Sequence, residues 1–138
     1  MPDWKNEAID KLKQYEAKRR SLVLIPREVE QLESELASLK KSPADAEEGN
    51  RVLDCTAQRA ELLMNLKRAH LWVADVSAAL DALNQDDRRL LERFYIDGKS
   101  GAATELAAEF IADIKTIYRR KDNALRKFTI ALYGCTES

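Results

Sequence analysis

Apolar residues recur three and four positions apart along most of this chain, the spacing of one helical face. From Asp3 to Leu24 the stripe is Ala8, Leu12, Tyr15 and Leu22, with Arg19 in one slot. A second stripe, Ile25, Val29, Leu32, Leu36 and Leu39, advances in steps of 4, 3, 4, 3, the repeat of a short coiled-coil seam. Pro26 disfavours helical geometry at Ile25 and suits the first turn of a new helix. The pattern therefore predicts two N-terminal helices, the second over "REVEQLESELASLKK". "SPADAEEGN" at 42–50 holds Pro43, Gly49 and Asn50 and no large apolar residue, so it reads as a linker. A long helix over about 51–83 follows, with the stripe Leu62, Leu66, Ala69, Val73, Val76, Leu80 and Leu83. Leu63, His70 and Trp72 flank that seam.

The last third changes rhythm. Asn84 is placed to cap a helix that carries Asp87 in its first turn. Leu90, Leu91, Phe94 and Tyr95 form the face it should bury. "DGKSG" stops it, with Gly98 as the stop signal, and Ser100 is expected to cap a helix at 101–110. Asp113 is expected to cap a final helix at 114–132.

Composition agrees with an all-α fold. Gly and Pro are scarce while Ala, Leu, Glu, Lys and Arg abound, which favours helix. Net charge is −1, so any surface for nucleic acid must come from local clustering. Cys55 and Cys135 lie far apart with a single His in the chain. That excludes a metal framework and reads as two free thiols in a reducing cytosol. No P-loop, Gly-rich phosphate cradle or Ser/His/Asp arrangement is present, so the chain is not read as an enzyme, and no metal or cofactor is expected. "MPDWKNEAIDKLKQ" has no signal-peptide core, and no apolar run approaches the length of a membrane span. A cytoplasmic protein without membrane contact is expected.

The stretch "ELAAEFIADIKTIYRRKDNALRKF" at 105–128 is where charge and pattern meet. A helix-turn-helix needs a small residue where its helices cross, a tight turn, and a capped second helix that offers its N-terminal residues to the major groove. Ala107 is the small residue, flanked by buried Leu106 and Phe110. Ile111-Ala112 is the turn and Asp113 the cap. Ile114, Ile117, Ala124, Leu125 and Phe128 are expected to supply the buried face. The candidate DNA-binding residues are then Lys115, Thr116, Tyr118, Arg119, Arg120, Asp122 and Asn123. Tyr118 reads equally as a DNA contact or a partly buried aromatic. Between 111 and 128, six Lys or Arg stand against two Asp, a local charge of +4. A basic second helix on a near-neutral chain is the electrostatic footprint of DNA binding.

From Leu83 onward the chain resembles region four of bacterial sigma factors, the module that reads the −35 promoter element. The resemblance rests on Leu83, Asp87-Arg88, Leu90-Leu91, Tyr95, Asp97-Gly98 and Ser100. It continues through Glu105-Leu106-Ala107, Thr116-Ile117, Arg120 and Ala124-Leu125-Arg126-Lys127-Phe128. Ile111 stands where that family has a turn Gly, Asp113 where it has Ser, and "SGAATE" is two residues longer than the family's approach to the first motif helix. The whole chain is similar to small phage and prophage regulators of the ArpU and RinA kind, through Tyr15, Leu22, Pro26, Val29, Leu32-Glu33 and the tail Leu132-Tyr133-Gly134.

The reading is thus a helical N-terminal oligomerisation region at 1–83 and a helix-turn-helix domain at 84–134. The expected function is sequence-specific binding of double-stranded DNA to regulate phage or prophage late genes in a bacterial host. Because one module offers few base contacts, specificity is expected from a homodimer or from binding beside host RNA polymerase. Two alternatives stand beside it. One is a DNA-recognition subunit of a phage terminase, which would form a ring of many copies. The other is a structural helical adaptor without DNA affinity.

Overall fold

The computed structural model describes residues 3–40 and 46–134, and every regular element among them is helical. The order is α1 (Trp4–Lys40), α2 (Ala46–Asp81), α3 (Gln85–Leu91), a π-helical turn (Glu92–Ile96), α4 (Ala102–Phe110) and α5 (Ile114–Tyr133). The chain is all-α.

The N-terminal hairpin forms from longer pieces than the sequence suggests. Pro26 lies inside α1, not at the start of a second helix. A helix-interior proline removes one hydrogen bond and crowds the preceding turn, at about 3 kcal/mol. The stripe on both sides of it stays on one face and in the core: Val29 is buried, and Leu22, Ile25 and Leu32 are partly so. Continuous packing of that face offsets the local penalty. The expected linker at 42–50 is also shorter. Residues 42–45 lie outside the described residues, but α2 already begins at Ala46. Glu47 and Glu48 in its first turn suit the positive end of a helix dipole, and Gly49 and Asn50 are carried within it.

Contacts divide the chain into two compact units. Residues 17–72 form the first, an antiparallel pair of helices. Arg59 donates to Glu33 at 2.9 Å, Arg51 to Glu35 at 3.4 Å, and Lys18 lies over the Trp72 ring at 5.6 Å. Its buried core is thin, comprising Val29, Cys55 and Ala69. Burial and the neighbouring Glu35 carboxylate push the Cys55 thiol above its ordinary pKa, so it behaves as a small core residue. Cys135 lies outside the described residues.

The second unit joins the residues up to Glu16 with those from Val73 on. Here the expected stripes are the core: Ala8, Leu12 and Tyr15 from α1, and Val73, Val76 and Leu80 from α2. Tyr15 Oη and Ser77 Oγ are hydrogen-bonded at 2.6 Å, which satisfies the one polar atom the tyrosine brings inside. Leu90, Leu91, Leu106, Ile117, Leu125 and Phe128 are buried from the last three helices. Asn84 caps α3 by accepting the Asp87 N–H at 2.8 Å. The helix then widens over Glu92–Ile96, where Asp97 N–H reaches the Glu92 carbonyl at 2.7 Å. Gly98, in left-handed geometry at φ +53°, ends it. Ser100 does not cap α4. The residue before Ala102 is Gly101, at φ +83° and with no side-chain cap, and its carbonyl takes the Glu105 N–H at 3.0 Å.

Candidate nucleic-acid interface

The site is built by α4, a three-residue turn and α5. Leu90, Leu106 and Ile117 meet at its centre, with Phe94, Ala107, Phe110 and Ala112 packed around them. Ala107 is half-buried at this crossing, where a small side chain lets the two helices approach. Ile111 closes α4 in left-handed geometry, φ +51° and ψ +55°. Its N–H and that of Ala112 return to the carbonyls of Ala108 and Ala107, at 3.4 and 3.0 Å. This is the Schellman closure, normally given to glycine. A β-branched residue at positive φ is a genuine outlier, and Ile111 is 94% exposed, so burial of its side chain does not compensate.

Asp113 then starts α5, its carboxylate accepting the Thr116 N–H at 2.7 Å. Hydrogen bonds from Thr116, side chain and backbone, hold the Asp113 carboxyl below the usual range, with Arg119 adding to the effect. The cap orients the first turn of α5 and leaves its outer side free.

On α5 the buried face is Ile117, Ala124, Leu125, Phe128 and Thr129. At 3.6 residues per turn, Lys115, Arg119, Asp122, Asn123 and Arg126 fall on the side away from it, and all five are exposed. Thr116 and Arg120 flank that row on one side and Tyr118 on the other. The structure therefore brings six of the seven sequence-predicted residues onto the outer half of one helix, while Tyr118 lies at the edge of the buried face with its ring against Phe94. Thr116 is half-buried, the others exposed.

The charges are not equivalent. Among the described residues Lys115, Arg119 and Arg120 form no salt bridge. Arg88, Arg89 and Arg93 on the α3 side are held by Glu92, Glu109 and Glu105, and Lys127 by Asp87 at 3.0 Å. Lys121 is withdrawn from the surface. Its ammonium lies 5.0, 5.2 and 6.0 Å from the ring centres of Tyr118, Phe94 and Tyr95, and 3.7 Å from Asp122. Burial and the Asp122 charge push the Tyr95 hydroxyl up to about 12, so it stays neutral. Positive charge is thus left open along the outer side of α5, from Lys115 to Arg126, and neutralised over most of the α3 side; Lys13 and Lys99 are open as well.

Two features escape the sequence reading, at Ile114 and Lys5, and Tyr118 combines its two alternatives. Ile114, expected to be buried, is 47% exposed. Tyr118 is 46% exposed with its ring tilted against Phe94 at 5.8 Å, so it is an aromatic with one packed and one open side. Lys5, from α1, stands 3.8 Å from Asp122 and extends the basic row; nothing in the local pattern near residue 5 signals this. Among the described residues no helix is long and apolar enough to cross a membrane. The chain matches no family model, no curated protein and no solved structure.

Proposed function

We propose that the protein is a sequence-specific double-stranded DNA-binding regulator of transcription. One observation carries the reading. The helix that follows a tight, capped turn presents Lys115, Arg119, Arg120 and Arg126 on one side without salt-bridge partners among the described residues, while the arginines of the α3 side, Lys121 and Lys127 are paired or caged. Unpaired cations on the first turns of such a helix meet phosphates and release counterions, which gives affinity. Lys115 or Arg119 toward guanine, and Asn123 toward adenine, give base discrimination by hydrogen bonding. Ile114 and Ile111 add an apolar surface at the same end, suited to thymine methyl groups. The likeness of residues 83–128 to sigma region four, and of the whole chain to ArpU and RinA regulators, supports phage or prophage late genes as the target. Host RNA polymerase is then a further partner. Because a single module reads few bases, the regulator acts as a homodimer on paired half-sites.

Selection from a randomised duplex pool, followed by fluorescence anisotropy on the enriched sequence, tests the reading. One enriched motif whose affinity falls with salt supports it. A protein that retains no duplex at low salt is a structural adaptor instead.

A further inference from the structure

The exposed side of α2 carries a second seam. Leu53, Ala57, Ala60, Met64, Lys67 and Leu71 follow one another in steps of 4, 3, 4, 3, 4. This stripe lies roughly 175° around the helix from the one packed on α1, so α1 does not cover it. Leu53 is 68% exposed, Met64 52% and Leu71 61%, and the other three are exposed as well. The equivalent stripe on α1 reads Arg20, Val23, Arg27, Glu30, Ser34 and Ala37, an ordinary solvated face. A regular 4-3 apolar repeat on an open face is the pattern of a helix that has a partner. The large apolar residues that flank the packed seam contribute less open surface. Trp72 is covered by Lys18, and Leu63 is only 37% open.

The geometry points to a second copy of this chain docking here, its α2 antiparallel to the first. Charge decides both the occupant and the direction. Along the seam Asp54 and Glu61 border the N-terminal half, while Lys67 and Arg68 occupy the C-terminal half, all exposed. Antiparallel pairing lays Asp54 beside the partner's Lys67 and Arg68, with Glu61 near the two-fold axis. Parallel pairing sets like against like and places the two Lys67 ammoniums together in the seam. Size agrees in one antiparallel register. There Leu71 meets Leu53 of the partner subunit, and the small Ala57 and Ala60 receive the longer Lys67 and Met64 of the other copy. The lysine stem lies along the seam while its head reaches the partner's acids. This rests on the homodimer in the reading above and names its surface; it does not depend on what α5 binds.

Sedimentation equilibrium on the full chain at micromolar concentration is the test. The wild type gives twice the 15.7 kDa chain mass. Met64→Glu/Leu71→Glu gives the single-chain mass with unchanged helicity by circular dichroism, since both side chains are already open to water. Val23→Glu on the α1 stripe leaves the dimer intact. Asp54→Arg and Arg68→Asp each weaken association severalfold, and the two together restore it, which parallel chains would not do. A wild-type monomer, a dimer indifferent to the glutamates, or a ring of many copies overturns the proposal. Duplex binding by a monomeric wild type removes this interface and keeps the DNA reading. A dimer that holds no duplex does the reverse.

Discussion

Replacing Ile111 by glycine should stabilise the protein, although it deletes a large apolar side chain. At φ +51° and ψ +55° the Cβ crowds its own backbone, which costs an L-residue about 1–2 kcal/mol, toward the upper end for a branched side chain. The side chain is 94% exposed, so its removal forfeits almost no buried area. The two N–H bonds that close α4, from Ile111 and Ala112, belong to the backbone and remain. Against the relief stands glycine's greater freedom in the unfolded chain, about 0.4–1 kcal/mol. The net gain is roughly 0.5–1 kcal/mol, or about 3 °C in melting temperature for a chain of this size. Ile111→Ala keeps the Cβ and should stay near wild type. Thermal and urea denaturation followed by far-UV circular dichroism measures all three. A glycine variant no more stable than the alanine variant would mean that the residue is not held in left-handed geometry. The same variant bears on function: a more stable protein that binds its duplex less tightly would show that Ile111 is kept for contact at the cost of strain.

Ala107→Phe overpacks the crossing where Ala107 sits against Leu90, Leu106 and Ile117; a loss of about 1–3 kcal/mol or more in a urea titration is expected. Asp113 has a folded-state pKa below its ordinary value, so its contribution is complete above pH about 4 and disappears as pH falls through the folded value. Wild type should therefore lose more stability than Asp113→Asn between neutral pH and pH about 3, and parallel curves would remove the cap from the account. Ile114→Ala should leave stability nearly unchanged, because half the side chain is already in water. In the same variant the preference for thymine at one position of the selected site should narrow; an unchanged preference would place Ile114 outside the groove.

Much of this architecture was legible because it is periodic or local. The stripes from Ala8 to Tyr15 and from Val73 to Leu80 are core positions. Asn84 and Asp113 cap as their side-chain chemistry directs, and the turn falls at Ile111-Ala112. What escaped is what local preference does not determine. Pro26 signals a break, yet α1 runs through it because the seam packs on both sides. Ser100 is the better cap by chemistry, but Gly101 alone accepts the positive φ at that corner. Lys121 looked like one more surface cation; its cage comes from rings on the preceding helical segment as well as Tyr118. The outer seam of α2 is present in the sequence, but two of its five apolar positions are alanine and a sixth place is Lys67, which a search for large apolar side chains passes over.

Whether the first turns of α5 read DNA is decided by a salt titration of duplex binding. Anisotropy on the selected duplex should compare wild type with Lys115→Ala/Arg119→Ala, with helicity checked in each. If Lys115, Arg119, Arg120 and Arg126 all meet phosphates or base edges, log K should fall against log salt with a slope of roughly −3 to −4 per module. Removing two of them should flatten the slope by about two and cost about 1–3 kcal/mol for each contact that discriminates bases. Equal affinity and equal slope in the two proteins would contradict the account and move any DNA-binding surface away from α5.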